Sequence, residues 1–294
     1  MTKRTIERKG SSTSGYTCFS RACAAKEQNE NFRGPDYLAE IFMPPIPHIL
    51  LNVSFLRKWC LRRIFPTGIY EYVLARTNLF DKVFMGALDD GFSQIVVLGA
   101  GMDTRALRFQ GRITGTMIFE LDIHATQSYK REVYRRKKIA LPKELVFVPI
   151  DFNKERIADV LSEAGYQEKQ KTLFLWEGVT MYLDPEAVDD TLAFVRNSAA
   201  QGNIIAFDYV RASVLRSENT LYGEQRIFNT VARTGERWTF GIDDGEIEGF
   251  LTERGFKILS HYTPSDLEMA YLTTKDGTRL GHINETHCIV IAAT

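Results

Sequence analysis

The feature that most constrains the fold of this chain is the segment SQIVVLGAGMDTRALR at residues 93–108. An apolar, β-branched run at 95–98 leads into Gly99-Ala100-Gly101, and a helical pattern follows from residue 102. This order predicts a buried parallel strand, a glycine turn and a helical segment. In a doubly wound sheet such a turn lies at the carboxyl end of the first strand, where the ligand binds. We therefore expect Gly99, Ala100 and Gly101 to border a ligand site, because glycine lets a ligand approach the backbone closely.

The turn differs from the fingerprint that binds dinucleotides. That fingerprint has a third small residue three positions after the second glycine, where this chain has Thr104. Asp103 stands beside the turn, where a carboxylate would repel a pyrophosphate and could attract a cation. The segment therefore favours a nucleoside ligand with little negative charge, and S-adenosylmethionine, with its sulfonium and ammonium groups, fits that description. An NAD-dependent oxidoreductase remains the alternative from a different class.

Strand and helix signals alternate from residue 93 onward. The strand candidates are 95–98, 116–121, 145–150, 172–176, 203–208, 256–262 and 286–292. Helical patterns lie at 125–139, 153–164, 185–200 and 244–254. This alternation predicts an α/β fold, a doubly wound and mostly parallel seven-stranded sheet with helices on both faces.

We expect a flexible N-terminus at 1–15 and a single domain at 16–294. Within that domain, 16–92 is a helical N-terminal part, and 93–208 with 242–294 forms the Rossmann-like core. Residues 209–241 are too long for an ordinary loop, so we expect a cap over the carboxyl edge of the sheet, on the substrate side.

One helical segment in the N-terminal part has two interpretations. Residues 53–65 carry Phe55, Trp59 and Ile64 on one side, with four basic residues interleaved. Such a helix can lie on a membrane surface. The interpretation that we favour from the sequence is a packed helix with a solvated basic edge.

Composition and charge exclude several classes of protein. Lys+Arg and Asp+Glu number 37 each, so no basic excess suggests nucleic acid. The four cysteines lack a metal-type spacing, and we expect reduced thiols, no metal and a cytoplasmic location. No apolar run approaches the length of a membrane span, and the N-terminus does not resemble a signal peptide.

An acidic residue stands at the end of the second strand candidate. Asp122 follows Gly101 by 21 positions, the distance at which an acid can accept both hydrogen bonds of a ribose diol. Glu120 lies on the same side of this strand and is the alternative. The alternative without a function is that Asp122 is simply a solvated acid at the end of a strand.

The third and fourth strand candidates also end in acids. Asp151 and Phe152 could contact the amine and the ring of adenine, although Asp151 could equally cap the next helix. Glu177 follows a wholly apolar strand and could bind the methionyl ammonium or cap a helix. Tyr182, a few residues later, either reaches the substrate or packs.

These motifs together resemble a known family. VVLGAGMDTRALR, FELD, VPIDF and FLWEGVTMYL, in this order and spacing, are similar to the leucine carboxyl methyltransferase family. The bacterial branch, with polyketide O-methyltransferases of the tetracenomycin type, is the nearer likeness. The resemblance covers residues 14–294, and RTGERWTFGID at 233–243 also looks like a family segment. It implies a class I S-adenosylmethionine-dependent methyltransferase fold with a helical N-terminal extension and a substrate-side insertion.

The resemblance also implies two basic residues for the cofactor. Arg21 and Arg76 match the family positions that hold the methionyl carboxylate, and a guanidinium can grip a carboxylate with two parallel bonds. The cofactor is then S-adenosyl-L-methionine and the product S-adenosyl-L-homocysteine.

We expect an O-methyltransferase that acts on the carboxylate of a small organic or polyketide-like acid. A carboxylate is ionised at neutral pH and needs no base, and none of the five histidines sits in a motif. No residue is assigned as catalytic; Tyr182, Tyr209, Arg233 and Trp238 are the candidate substrate contacts. A protein C-terminal carboxyl methyltransferase and a catalytically silent ligand-binding protein remain alternatives.

Overall fold

The central element of the fold is a seven-stranded sheet. The computed structural model describes residues 12–152, 154–198, 202–234 and 237–294. The strand order is β3-β2-β1-β4-β5-β7-β6. The strands are β1 (Gln94–Leu98), β2 (Met117–Asp122), β3 (Leu145–Pro149), β4 (Thr172–Trp176), β5 (Ile204–Val210), β6 (Lys257–Tyr262) and β7 (His287–Ala293). Strands β1 to β5 pair in parallel, and β7 runs antiparallel to β5 and β6. The predicted doubly wound, mostly parallel sheet is confirmed.

Helices lie between the strands along the chain, and four α-helices of the described residues precede β1. They are α1 (Ser12–Ala25), α2 (Pro45–Asn52), α3 (Ser54–Arg63), α4 (Ile69–Asp89), α5 (Arg105–Arg108), α6 (His124–Arg136), α7 (Ile157–Glu163), α8 (Pro185–Asn197), α9 (Ala212–Leu215), α10 (Glu224–Thr234), α11 (Ile247–Glu253) and α12 (Pro264–Tyr271). Short 3-10 helices lie at Glu30–Phe32, Ala39–Phe42 and Thr180–Tyr182.

Several boundaries differ from those that the sequence predicts. Helix α1 begins at Ser12, inside the segment expected to be flexible; residues 1–11 lie outside the described residues. Within the helical N-terminal part, Ala39–Phe42 forms only a 3-10 helix, and Pro45 starts α2 because proline fits the first helical position. Strand β5 continues through Val210, so the insertion starts later than residue 209 and Tyr209 belongs to the sheet.

The apolar core has two halves, one on each face of the sheet. Ile95 and Val97 pack with α1 and α4 in one half, whereas Val96 and Leu98 pack with α7, α8 and α11 in the other. Successive residues of a strand point to opposite faces, so a strand buried on both sides must be apolar throughout. The continuous run IVVL in β1 satisfies that requirement.

The carboxyl edge of the sheet is covered by the N-terminal helices and the insertion. Ser14 of α1 lies near Gly101, and Arg21 of the same helix donates to the carbonyl of Met102. From the other side, the backbone NH of Thr239 donates to Met181 after β4. Within the described part of the chain, no helix is long and apolar enough to cross a membrane.

Candidate active site

The glycine turn after β1 uses its two glycines in different ways. Both have left-handed backbones, with φ of 68° at Gly99 and 48° at Gly101. A Cβ on Gly99 would lie 2.4 Å from Cγ2 of Val179, so this glycine admits the loop after β4 rather than a ligand. A Cβ on Gly101 would have Ser14 as its nearest side-chain neighbour, at 3.9 Å. Only Gly101 therefore leaves open space beside the turn.

Asp122 lies directly against this turn. Its Oδ2 accepts a hydrogen bond from the backbone NH of Gly101 at 2.6 Å, and its Oδ1 accepts one from Ile123 at 2.7 Å. Burial raises the pKa of Asp122, and the two backbone NH groups partly oppose that shift. The Thr126 side chain also hydrogen-bonds to this carboxylate. A carboxylate has about four acceptor positions, so one remains for a ligand hydroxyl.

Glu120, the alternative acid on β2, is already occupied. It is buried, and its Oε2 accepts a hydrogen bond from Nζ of Lys130 at 2.6 Å. Burial raises the pKa of Glu120 to about 7, although Lys130 acts in the opposite direction. Of the two acids, the geometry leaves Asp122 as the one beside the open side of the turn.

Asp151 and Phe152 lie just beyond β3, as the sequence predicts. Both are partly buried, and Phe152 packs against the second half of the core. Oδ2 of Asp151 contacts Nζ of Lys154 at 2.6 Å, and the carbonyl oxygen of Asp151 accepts from the backbone NH groups of Lys154 and Glu155. Asp151 therefore lies near the surface, and its backbone carbonyl starts a turn.

Glu177, after β4, joins two arginines from distant parts of the chain. Its Oε1 lies 2.9 Å from Nε of Arg76 in α4, and its Oε2 accepts from Nη2 of Arg105 at 2.7 Å. Burial acts to raise the pKa of Glu177, but Arg105 and Arg76 outweigh burial and lower it. Glu177 is thus an ionised carboxylate whose charge is largely balanced by protein cations.

Asp103 does not present a free carboxylate, contrary to the expectation from the sequence. It is buried, and it accepts hydrogen bonds from both the backbone NH and Nη1 of Arg105. Burial acts to raise its pKa, but Arg105 and Lys130 lower it to about 2. Asp103 therefore holds Arg105 in place, and its effect on a cationic ligand is indirect.

Asp208 is a residue that sequence reasoning missed. It is fully buried in β5, and its Oδ2 accepts from the Tyr72 hydroxyl at 2.8 Å and from Nη1 of Arg76 at 2.7 Å. Its Oδ1 accepts from the backbone NH of Gly178 at 2.5 Å. The signal was available, because Asp208 ends an apolar run as Asp122 and Glu177 do.

Arg21 also takes part in a buried ion pair. Its Nη1 lies 3.0 Å from Oδ2 of Asp36, and its Nη2 donates to the carbonyl of Met102 at 2.9 Å. These ion pairs are part of one buried group at the carboxyl edge. The group contains Arg21, Arg76, Arg105, Arg108, Asp36, Asp81, Asp103, Glu177 and Asp208. It has one more acid than base, so its formal charge suits a ligand with a net positive charge.

A narrow cavity of about 70 Å³ opens beside Arg76 and Gly178. Tyr182 and Trp238 both line it, with ring centroids 6.4 Å apart. Trp238 is 8 % exposed, and its indole NH has no hydrogen-bond partner among the described residues. Buried donors normally have an acceptor, so this NH group can bind a ligand oxygen.

The other two predicted substrate residues are not brought into this cavity. Tyr209 packs in the second half of the core, and its hydroxyl lies 2.9 Å from Nε2 of His261. It points away because neighbouring strand residues alternate between faces. Arg233 lies in α10, and its side chain is outside the described residues.

His287 lines the same cavity, which the sequence did not indicate. Its ring packs on Tyr72 and Trp238, and its Nδ1 lies 2.7 Å from the hydroxyl oxygen of Thr286. Burial and the neighbouring Arg76 lower the pKa of His287 to about 3. The imidazole is therefore neutral at physiological pH.

A larger apolar cavity of about 410 Å³ is lined by residues of α1, α2, α3 and α6. Tyr16 and Phe65 line both cavities and separate them. The larger one reaches Met102 beside the glycine turn and Thr126 at the start of α6. Among the residues that the structure describes, no group of acids, histidines or cysteines could hold a metal.

Known proteins resemble this chain in sequence. The model of the leucine carboxyl methyltransferase family matches residues 17–196. A protein of Bacillus subtilis (strain 168), YktD, named as a candidate S-adenosyl-L-methionine-dependent methyltransferase, is 27 % identical over 279 residues, or 90 % of this chain and 91 % of that protein. FRAAL3836 of Frankia alni, with the same kind of name, is 32 % identical over 192 residues, 65 % of each chain.

Two crystal structures share the fold. One is a DUF574 family protein of Streptomyces avermitilis, with a TM-score of 0.60, 12 % identity and coverage of 95 % of this chain and 97 % of that one. The other is a methyltransferase candidate of Thermobifida fusca, with a TM-score of 0.58, 14 % identity and coverage of 95 % and 94 %. At this identity the likeness concerns the fold alone. The family match and the relatives show more: this chain belongs to the leucine carboxyl methyltransferase family and is an S-adenosyl-L-methionine-dependent methyltransferase.

Proposed function

We propose that this enzyme methylates the carboxylate of a small, largely apolar organic acid and releases a methyl ester. The observation that carries the proposal is the narrow cavity beside Arg76. Its aromatic walls suit an apolar or polyketide-like body. The indole NH of Trp238, which has no partner among the described residues, offers a donor to an acceptor oxygen. At about 70 Å³ the cavity takes the carboxyl end of such an acid, and the rest of its body would extend beyond it.

His287 supports a carboxylate over a phenol as the acceptor. A base with a pKa of about 3 is a poor acceptor for the proton of a phenol, whose pKa is about 10. Proton transfer from a phenol to His287 is therefore strongly unfavourable. A carboxylate is already ionised, so a neutral histidine beside it does not hinder the reaction.

The methyl transfer itself needs alignment and no proton movement. A carboxylate oxygen forms the new O–C bond as the C–S bond of the sulfonium breaks, and the electron pair stays on sulfur. The negative acceptor and the positive donor both become neutral at the reacting atoms. The chain's part is to hold these atoms in line and keep water out, because such reactions gain mainly from proximity and orientation.

The cofactor contacts proposed for this chain follow the geometry of the carboxyl edge. Asp122 would take the ribose, and Asp151 and Phe152 the adenine. Gly101 would allow the close backbone approach at the turn, whereas Gly99 makes room for Val179. Glu177 and Arg76 would hold the methionyl end, and Arg21 and Asp103 would support the turn through Met102 and Arg105. Replacing Arg76 with alanine should weaken S-adenosylmethionine far more than 5′-methylthioadenosine, which lacks the amino acid group. Equal losses would show that Arg76 acts only through the fold.

A screen with labelled methyl groups tests the acceptor. Purified enzyme is incubated with radiolabelled S-adenosylmethionine and, separately, aromatic carboxylic acids, phenols and peptides with free C-termini. We expect label on the acids that is released by mild base, as esters are. Base-stable label on phenols would refute the ester assignment, and label on peptides alone would indicate a protein C-terminal methyltransferase. Cofactor binding without transfer to any of them would favour a silent binding protein.

A further inference from the structure

The surface formed by α2, Val53, α3 and Ile64 concentrates exposed apolar side chains. Large hydrophobic side chains exposed among the described residues number fourteen, and six of them lie between positions 46 and 64. These six are Ile46, Ile49, Val53, Phe55, Trp59 and Ile64. Helix α3 packs on the core through Cys60 and has a solvated basic edge, as the sequence favoured, but Phe55 is 75 % exposed and Trp59 is 49 % exposed. Scattered exposed hydrophobics are ordinary, but a cluster marks an interaction site.

This surface is also uniformly basic. Residues 41–70 contain no aspartate or glutamate, and they contain Arg57, Lys58, Arg62 and Arg63. Arg57 is buried, where it donates to the carbonyl oxygens of Leu51 and Lys26. Lys58, Arg62 and Arg63 are exposed, and no acid in the described part of the chain forms a salt bridge with them. Three cations thus lie among the exposed apolar side chains without local compensation.

We propose that this surface, α2 with α3 and Ile64, docks on a lipid bilayer with anionic headgroups. Short amphipathic helices with Trp, Phe and aliphatic residues beside Lys and Arg bind the bilayer interface, and anionic lipids attract the cations. A second copy of the chain is a poorer occupant, because a two-fold interface would bring the same three cations of each copy together. The proposal concerns the surface alone and does not depend on the acceptor proposed above.

The large apolar cavity behind this surface is consistent with docking on a bilayer. Ile64 is 47 % exposed and also lines the apolar cavity of about 410 Å³, together with Leu50 and Phe65. The exposed apolar area therefore continues inward as far as Met102, beside the glycine turn. Docking would place the mouth of this cavity against the hydrocarbon boundary of the bilayer.

Vesicle binding by the full chain tests the proposal. Flotation is measured with phosphatidylcholine vesicles and with vesicles that also contain phosphatidylglycerol. We expect binding to the anionic vesicles that weakens with salt, and little binding to the neutral ones. The double variant Phe55→Ser/Trp59→Ser should bind at least tenfold more weakly, and so should Lys58→Gln/Arg62→Gln/Arg63→Gln. Met269→Ser, at an equally exposed apolar residue of α12, is the matched control and should bind as the wild type does.

Tryptophan fluorescence gives a second readout that does not require the double variant to fold. Trp176 and Trp238 are buried, so a blue shift on adding anionic vesicles would come from Trp59 and should vanish in Trp59→Phe. Absence of binding to anionic vesicles would overturn the proposal. Equal binding by the wild type and both multiple variants would overturn it as well. A dimer in light scattering that Phe55→Ser/Trp59→Ser dissociates, without vesicle binding, would instead assign the surface to self-association.

Discussion

Replacing Asp208 with asparagine should be among the most damaging single changes at the carboxyl edge. Asp208 is fully buried and accepts hydrogen bonds from Tyr72, Arg76 and Gly178. Asparagine keeps one acceptor oxygen for Gly178, but it turns an NH₂ group toward two donors. Among the residues that the structure describes, Arg76 then keeps Glu177 as its one carboxylate partner.

The expected loss of stability follows from the burial of this pair. Removing one partner of a buried ion pair costs about 3–5 kcal/mol, because the remaining charge stays desolvated. At about 2–4 °C per kcal/mol, the melting temperature should fall by about 6–20 °C, toward the lower end for a chain of this length. The affinity for S-adenosylhomocysteine should fall at least tenfold, because Arg76 and the turn at Gly178 lose their common anchor.

Thermal unfolding and calorimetric titration with S-adenosylhomocysteine measure the two effects separately. Asp243→Asn is the matched control, because Asp243 pairs with Arg216 at 2.7 Å while both side chains are about half exposed. Exposed pairs contribute about 0–1 kcal/mol, so this variant should melt and bind like the wild type. The reasoning is refuted if Asp208→Asn loses less than about 1 kcal/mol and binds the ligand normally.

Three further predictions concern neighbouring positions. Gly99→Ala should lower the free energy of unfolding in urea more than Gly91→Ala does. Both glycines have positive φ, but only at Gly99 would the new Cβ meet a neighbour, Val179 at 2.4 Å. Equal losses would mean that the contact with Val179 relaxes freely. Asp122→Ala should lower the affinity for S-adenosylhomocysteine by about 1–3 kcal/mol. Glu120→Gln should mainly lower the melting temperature, because it removes the charge that pairs with Lys130. A larger loss of affinity in Glu120→Gln than in Asp122→Ala, measured by calorimetry, would assign the ribose to Glu120. The pKa of His287 is about 3 in the folded state and 6.5 in the free side chain. Between these pH values the unfolded chain binds more protons than the folded one, so stability is lost as the pH falls from 6.5 toward 3. That loss amounts to about 5 kcal/mol in the wild type, and His287→Gln should lack this part of the pH dependence; identical pH profiles would contradict a neutral, buried His287.

The elements that the sequence predicts well are those with a local signature. The apolar run of β1, the glycine turn and the strand-end positions of Asp122, Asp151 and Glu177 can be read without knowing the rest of the chain. Their place at one edge follows from topology, since parallel strands bring their carboxyl ends together. The same reasoning failed at the start of the insertion, because nothing local distinguishes the last residues of β5 from the loop that follows them.

What the sequence could not predict are the partners of its charged residues. Asp103 has the same local setting whether it faces a ligand or, as found, holds Arg105. Arg76 and Asp208 are 132 positions apart and meet only because α4 packs against the sheet. His287 belongs to no motif, and it reaches the cavity because β7 lies beside β5 in the sheet.

The sequence by itself therefore determined the strand pattern, the glycine turn and the family, because each depends on residue types at short, regular spacings. The tertiary structure decided which carboxylates are balanced by arginines, which side chains line the narrow cavity, and which apolar residues of α2 and α3 remain exposed. The physical reason is that charge pairing and burial depend on distances between segments far apart in the chain. Such distances exist only once the helices have packed on the sheet.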